Sequence, residues 1–190
     1  MNNDEVGAAV KTLLEALQQS EHPEVDGTPE RVAEMWRSNL LSGYESTAEA
    51  ALSDQIADDS GCVLTMRRIP FHGVCPHHLV PFFGEVSLAY EPNGKIVGLG
   101  SLERLVATLS RRLILQERLT GAIADALMEH LGAQGAACRV SARHLCFMLR
   151  GREPRETEVI THALRGSLKD AYTLLDDANH HPDAKTPERR

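Results

Sequence analysis

The chain has 190 residues, of which 42% are hydrophobic and 25% are charged, a composition typical of a globular protein with one hydrophobic core. Its formal net charge is -7, and it contains no basic run or stripe. These features argue against a nucleic-acid-binding protein and against a protein that binds anionic membrane surfaces.

No targeting or membrane-spanning segment is predicted. The first residues include acids where a signal peptide carries basic residues, and no apolar run approaches the roughly 20 residues needed to cross a bilayer. We therefore expect a cytoplasmic protein. Its four cysteines, Cys62, Cys75, Cys138 and Cys146, are then expected to be thiols or metal ligands rather than disulfides.

The N-terminal part of the chain predicts two helices. Apolar residues recur at helical spacing from Val6 to Leu17. A second helix is predicted to open at Thr28-Pro29, because Thr is a good N-cap and Pro suits the first helical position. Residues 45–60 are acidic and irregular, and predict a loop with a short helix.

The middle of the chain predicts a hairpin followed by two helices. Residues 82–99 contain two apolar runs joined by Pro92-Asn93-Gly94, and Asn-Gly is a strong hairpin signal. Helical periodicity returns from Ser101 and again from Gln116, and Gly132 predicts the end of the second helix.

The part of the chain after the second of these helices is predicted to form strands. Residues 136–149 read as one long strand, in which His144 and Cys146 would share a face because side chains alternate. A further strand is expected near Thr157 to Leu164. The order of helices, hairpin, helices and strands indicates an α+β fold with an antiparallel sheet.

Two short segments contain residue types that bind zinc. Cys75 and His78 are three residues apart, a spacing that lets one turn surround a single ion, and Cys146 would approach from the predicted strand. A catalytic zinc site has three such ligands and an open position for water. His77 and His144 lie beside these ligands and are candidates for proton transfer, because imidazole titrates near neutral pH.

The alternative interpretation is that these cysteines fill a hydrophobic core, as buried cysteines often do. A C-x-x-H pair alone is a weak signal, and the second pair of His144 and Cys146 strengthens it. Cys62 and Cys138 are interpreted as core thiols.

Four segments resemble the GTP cyclohydrolase I family, and they occur in the family's order and spacing between about residues 28 and 170: TPERVAEMW, CPHHLVPFFGEVSLAYEPNGKIVGL, QERLTGAIADAL and HLCFMLRG. The resemblance implies a tunnelling fold (T-fold), with a four-stranded antiparallel sheet, two packed helices and an N-terminal helical extension. It also implies a homodecamer with active sites between subunits. Residues 1–45 would form the helical region, 46–175 the T-fold catalytic domain and 176–190 a polar mobile tail.

The resemblance further implies a zinc-dependent hydrolase that opens the imidazole ring of GTP at C8. The products would be formate and 7,8-dihydroneopterin triphosphate, a pterin precursor of tetrahydrofolate biosynthesis. The implied roles are zinc binding by Cys75, His78 and Cys146, proton transfer by His77 and His144, guanine recognition by Gln116 and Glu117, and phosphate contacts by Arg104 and Arg150.

Simpler interpretations exist for the binding residues. Glu117 would also be an ordinary acid at a helix start, favoured by the helix dipole. Arg104 and Arg150 would otherwise form surface salt bridges.

Some positions depart from the family pattern. Gly100-Ser101 stands where the family usually has Ser-Lys, Pro76 replaces a Glu, and Gly73 replaces a Ser. The phosphate end is therefore altered while the metal and proton-transfer residues are kept. One alternative is an enzyme that acts on another guanine nucleotide or nucleoside, or that stops at a ring-opened pyrimidine. Another is a non-catalytic homologue that binds a nucleotide or pterin, although the retained ligands and histidines argue against it.

Overall fold

The structure is a computed structural model that describes residues 1–150 and 157–175. The predicted tail at 176–190 lies outside the described residues. The N-terminal part forms the helices α1 (Asn3–Ala16) and α2 (Thr28–Met35), followed by a π-helical turn at Trp36–Leu40. Both predicted helices are confirmed.

The start of α2 differs in detail from the prediction. Gly27 occupies the cap position with φ 68, a left-handed conformation that suits glycine, and Thr28 is the first helical residue. The Thr28 hydroxyl accepts a hydrogen bond from Arg31 Nη2 at 2.9 Å and caps no backbone N–H of the helix. The sequence signal therefore located the helix start to within one residue.

Within the described residues, six strands form two antiparallel sheets: β1 (Gln55–Ala57), β2 (Leu64–Val74), β3 (Pro81–Glu91), β4 (Lys95–Val97), β5 (Gly135–His144) and β6 (Val159–Gly166). The larger sheet has the order β2-β3-β5-β6, and the smaller one pairs β1 with β4. The strand predicted near Thr157 to Leu164 corresponds to β6.

The predicted hairpin between residues 82 and 99 is wrong. The second apolar run forms β4, and β4 pairs with β1, with Ile56 opposite Ile96. The reason is that β3 already pairs with β2 on one side and with β5 on the other, so neither of its edges is open to β4. The chain does turn at Gly94, which has φ 75.

Three further helices lie where the sequence predicted helical segments. They are α3 (Ala48–Ala51), within the predicted loop, α4 (Leu99–Ser110) and α5 (Gln116–Leu131), which ends at Gly132 with φ 62. The core between these helices and the larger sheet contains fully buried side chains from both layers: Leu102, Leu105, Leu119, Ile123, Val86, Leu88 and Val140. Burial of each such side chain stabilises the fold by about 1.5–3 kcal/mol. The predicted fold class, α+β with a four-stranded antiparallel sheet and two packed helices, is confirmed.

The long strand predicted at 136–149 ends earlier than expected. Strand β5 stops at His144, and residues Leu145–Met148 form a short helix, α6. Cys146 therefore lies on a helical turn, and the prediction that it shares a strand face with His144 is wrong.

Among the described residues, no helix combines the length and apolar character needed to cross a membrane.

Candidate metal centre

The connection between β2 and β3 positions Cys75 and His78. Strand pairing ends at Val74 opposite Pro81, and the Cys75 N–H then donates to Val80 O at 3.0 Å. The Leu79 N–H donates back to Cys75 O at 2.9 Å, and Leu79 adopts φ 55, a conformation that is rare for a bulky side chain. A tight turn therefore carries both candidate ligands.

The side chains of Cys75, His78 and Cys146 converge, with ligand atoms that all lie within 4.8 Å of one another. Cys75 Sγ is 3.7 Å from Nδ1 of His78. In a tetrahedral zinc site, a thiolate and an imidazole nitrogen at their usual bond lengths are about 3.5 Å apart. The separation of Cys75 and His78 therefore suits two ligands of one zinc ion, and the cluster of three residues could hold a metal.

The electrostatics of the cluster depend on its two thiols. Burial raises the pKa of the Cys146 thiol, and its hydrogen bond with the Cys75 thiol raises it further. A divalent cation between the sulfurs would oppose this shift, because it favours the thiolate forms. Beside the cluster, Arg150 Nη2 lies 2.5 Å from Nε2 of His78.

His144, at the end of β5, is held by two contacts. Its Nε2 lies 2.7 Å from Oε1 of Gln116, and its ring stacks in parallel on the buried Phe82 ring, with 4.8 Å between centroids. Burial lowers the pKa of His144, while the negative charge of Glu117 acts in the opposite direction. A neutral imidazole at physiological pH follows from the dominant effect of burial.

Gln116 and Glu117 open α5 but have different surroundings. Gln116 is 2% exposed, and its amide nitrogen donates to acceptors on β5 and β6, so its side chain is engaged inside the protein. Glu117 is exposed in the first turn of α5.

The other predicted binding residues lie in different environments. Arg104 Nη2 donates to Asp54 at 3.1 Å and to the Ser101 hydroxyl at 2.8 Å, and neither partner belongs to the cysteine cluster. Arg104 also borders a cavity of about 470 Å³ that is further lined by Ile69, Pro70, Gly100, Glu103, Ala107 and Arg111. Arg150, in contrast, contacts the cluster directly.

His77 is exposed on the turn, and its ring lies 6.2 Å from the His78 ring in an edge-to-face arrangement.

The two remaining cysteines differ from each other. Cys138 is fully buried, as predicted, and burial raises the pKa of its thiol. Cys62 is exposed, so its interpretation as a core thiol is wrong. It lies next to Gly61, which has a positive φ, in a segment outside the strands.

Sequence reasoning did not identify Phe82, Thr120 or Thr161 as neighbours of the site. Alternation along β3 identifies Phe82 as an inward-facing residue, but its stacking on His144 depends on the β3–β5 register, in which the two residues are directly opposite. Thr161 meets Gln116 only because β6 lies beside β5.

Comparison with known proteins identifies the family to which this chain is similar. A sequence model of the family GTP cyclohydrolase I matches residues 6–179. The GTP cyclohydrolase 1 of Campylobacter lari is 40% identical over 181 residues, covering 90% of this chain and 94% of that protein. The GTP cyclohydrolase 1 of Streptococcus sanguinis is 37% identical over 179 residues, covering 94% of this chain and 97% of that protein.

Among solved structures, the archaeosine synthase QueF-Like in the apo form is 19% identical, with a TM-score of 0.48, covering 57% of this chain and 97% of that chain. The family match extends over nearly the whole chain and includes all three residues of the cysteine cluster. The chain belongs to the GTP cyclohydrolase I family.

Proposed function

We propose that this chain is a zinc-dependent hydrolase that opens the imidazole ring of a guanine nucleotide at C8, converting GTP to 7,8-dihydroneopterin triphosphate and formate. The observation that carries the proposal is the convergence of Cys75, His78 and Cys146. It is supported by relatives that are named GTP cyclohydrolase 1 and match this chain over 90% or more of its length.

The three residues of the cluster would hold the zinc ion. When bound, such an ion supplies a Lewis acid that lowers the pKa of water at its open position. His144 would accept a proton near this position, since burial keeps its imidazole neutral at physiological pH. His77 is the second proposed proton-transfer residue, and its exposure on the turn leaves it accessible to substrate.

Glu117 would recognise the guanine base. A carboxylate accepts hydrogen bonds from the N1–H and the exocyclic amine of guanine, and Glu117 is exposed and coupled electrostatically to His144. The predicted contribution of Gln116 to base recognition would come from its backbone, because its side-chain amide is engaged inside the protein.

Arg150 would contact phosphate once the zinc ion is bound. A guanidinium group only donates hydrogen bonds, so the contact with His78 requires Nε2 to be an acceptor. If His78 held the zinc ion, its remaining ring nitrogen would carry the proton and could not accept from Arg150. The Arg150 guanidinium would then be available to donate to an anion.

A second candidate function is favoured by the surroundings of Arg104. This arginine shares its guanidinium with Asp54 and Ser101, and the resemblance places Gly100-Ser101 where the family usually has Ser-Lys. Loss of one charge-assisted contact, worth about 1.5–3 kcal/mol, would weaken triphosphate binding roughly 10- to 100-fold. The alternative is therefore C8 hydrolysis of a guanine compound with fewer phosphates, or a reaction that stops at a ring-opened pyrimidine.

A product analysis distinguishes these functions. The purified, zinc-loaded protein is incubated with GTP, GMP and guanosine in parallel, and the products are identified by mass spectrometry. Gain of water and loss of formate from at least one compound is expected, and the preferred compound reports the phosphate requirement. The catalytic proposal is wrong if none of the three compounds gains water or loses formate.

The His144→Ala variant serves as the control for this experiment. It removes a proposed proton-transfer residue and none of the three proposed ligands, so the variant should retain zinc while it loses turnover. Normal turnover in this variant would remove the role assigned to His144.

We further propose that the protein is a cytoplasmic homo-oligomer, a decamer with active sites between subunits. Strands β2 and β6 lie at the two edges of the larger sheet, and Ile160 on β6 is 42% exposed. Leu149, three residues after Cys146, is 74% exposed. These apolar surfaces favour contact with a second copy of the chain, and the free thiols of the cluster suit a reducing compartment.

A further inference from the structure

We propose that Gln116 is a positioning residue that holds neutral His144 as its Nε2–H tautomer, which leaves Nδ1 as the ring nitrogen that accepts a proton. Only the catalytic use of Nδ1 rests on the proposed function. The tautomer itself follows from hydrogen bonds inside the protein.

The orientation of the Gln116 amide is determined by its neighbours. Its nitrogen has three acceptors within reach, Val140 O at 3.1 Å, Val159 O at 2.9 Å and Thr161 Oγ1 at 3.1 Å. Two of these acceptors are backbone carbonyls, which cannot donate. The reversed amide would direct its oxygen at both carbonyls, so only the orientation with Oε1 towards His144 satisfies the network.

The threonine hydroxyls complete the same pattern. Thr120 donates its single hydroxyl proton to Gln116 O at 2.8 Å, so it must accept in its 2.6 Å contact with Thr161. Thr161 therefore donates to Thr120 and is left as an acceptor for the Gln116 amide. Both threonine hydroxyl protons therefore have one consistent position, and the amide nitrogen of Gln116 faces acceptors only.

His144 must then donate to Gln116. Oε1 of Gln116 is an acceptor only, and it lies 2.7 Å from Nε2 of His144. The neutral ring consequently carries its proton on Nε2. The parallel stack on Phe82 fixes the ring plane, and a ring turned over in that plane would present carbon rather than nitrogen to Oε1.

Burial of the network favours the Nε2–H tautomer of His144 over the Nδ1–H tautomer. Gln116 is 2% exposed and Thr120 is 1% exposed, so burial limits the competition of water for these hydrogen bonds. The Nδ1–H tautomer would leave two acceptors, Nε2 and Oε1, facing each other without a proton. Gln116 is thus assigned a role in orienting a proton-transfer residue, in place of a side-chain contact with the guanine base.

The tautomer can be measured on the unmodified protein. Zinc-loaded protein labelled with 15N-histidine is examined at alkaline pH by long-range 1H–15N correlation, and the His144 signals are assigned with a His144→Asn variant. We expect the pattern of an Nε2-protonated ring. A predominantly Nδ1-protonated ring, or an average of the two tautomers, would overturn the proposal.

Two variants then test the role of Gln116. Gln116→Met keeps the side-chain length but removes the acceptor, so we expect a mixture of His144 tautomers, and a fall in kcat of at least about 10-fold with KM changed less. Gln134→Met is the matched control, because it makes the same substitution at a glutamine whose amide donates to Pro92 O and does not contact His144. Its tautomer should be unchanged and its kcat within about twofold of the parent value. An unchanged Nε2–H ring in Gln116→Met would contradict the assignment.

The tautomer is read without substrate, so it remains decisive for a protein that lacks cyclohydrolase activity. Absence of C8 hydrolysis together with an Nε2–H ring would reject the proposed function and keep this positioning role.

Discussion

At the level of single residues, the site combines side chains from three places in the chain. Cys75 and His78 lie on the turn after β2, Cys146 lies on α6, and Arg150 follows it. The sequence identified the three candidate ligands by residue type and spacing. It did not predict that Cys146 reaches the cluster from a helical turn. The end of β5 depends on where the neighbouring strand β3 stops providing backbone pairing, which local sequence does not encode.

The cluster predicts a specific dependence of metal binding on Cys146. We expect about one zinc ion per chain in the parent protein and close to none in Cys146→Ala, because two remaining ligands bind a zinc ion weakly. Elemental analysis of the purified proteins measures this. Cys62→Ala changes an exposed cysteine outside the cluster and should leave the zinc content unchanged. Full zinc occupancy in Cys146→Ala would exclude Cys146 as a ligand.

Glu117 provides a second prediction at this scale. Glu117→Gln removes the carboxylate proposed to bind guanine, and should raise KM for the accepted nucleotide roughly 10- to 100-fold, the equivalent of one charge-assisted hydrogen bond. Steady-state kinetics measures the change, and zinc content should stay constant. Glu129→Gln, an exposed acid further along α5, is the control. Equal kinetics in both variants would count against base recognition by Glu117.

At the level of elements, the N-terminal helical region is attached to the α4–α5 connection by Arg112. Its guanidinium donates to Gly43 O at 2.7 Å, to Ser46 O at 2.9 Å and to Thr108 O at 2.7 Å. Gly43 permits this close approach, since a Cβ there would lie 2.4 Å from Thr108 O. One side chain thereby links the segment before α3 to the C-terminal end of α4.

Loss of this arginine should destabilise the protein. Arg112→Met leaves backbone carbonyls without their donor, which costs about 1.5–3 kcal/mol and lowers the apparent Tm by roughly 3–12 °C for a chain of this size. Differential scanning calorimetry measures the shift. Arg37→Met removes only an exposed ion pair with Glu34 and should change Tm little. Similar shifts in the two variants would show that Arg112 is no more than a surface residue.

At the level of the whole molecule, the larger sheet has helices on one face and ends in two edge strands, β2 and β6. An edge strand presents backbone groups that pair readily with another chain, and apolar side chains on it favour such pairing. The edges are therefore the natural place for the assembly that we propose.

This assembly predicts a molar mass in solution of several chains, which light scattering coupled to size-exclusion chromatography measures directly. Ile160→Lys places a charge on β6 and should shift the protein towards smaller species. Leu13→Lys changes a similarly exposed residue on α1, away from the sheet, and should preserve the assembly if the sheet edge is responsible. A monomeric parent protein would contradict the proposed oligomer.

The sequence by itself determined the features that depend on local pattern. Helical periodicity located α1, α2, α4 and α5. Residue type with close spacing identified Cys75 and His78 as candidate ligands, and the separate pair of His144 and Cys146 added the third. The four separated motifs also identified the family. The helical periodicity and each individual motif are encoded by residues that are neighbours in the chain.

Only the tertiary structure decided the features that depend on distant partners. It pairs β4 with β1 because both edges of β3 are occupied, and it places Gln116 between β5, β6 and His144. It also joins Arg104 to Asp54, which is 50 residues away in the chain. The physical reason is that a strand edge, an amide group and a guanidinium group can each form hydrogen bonds with many different partners. The partner that each one meets is set by the packing of the complete fold.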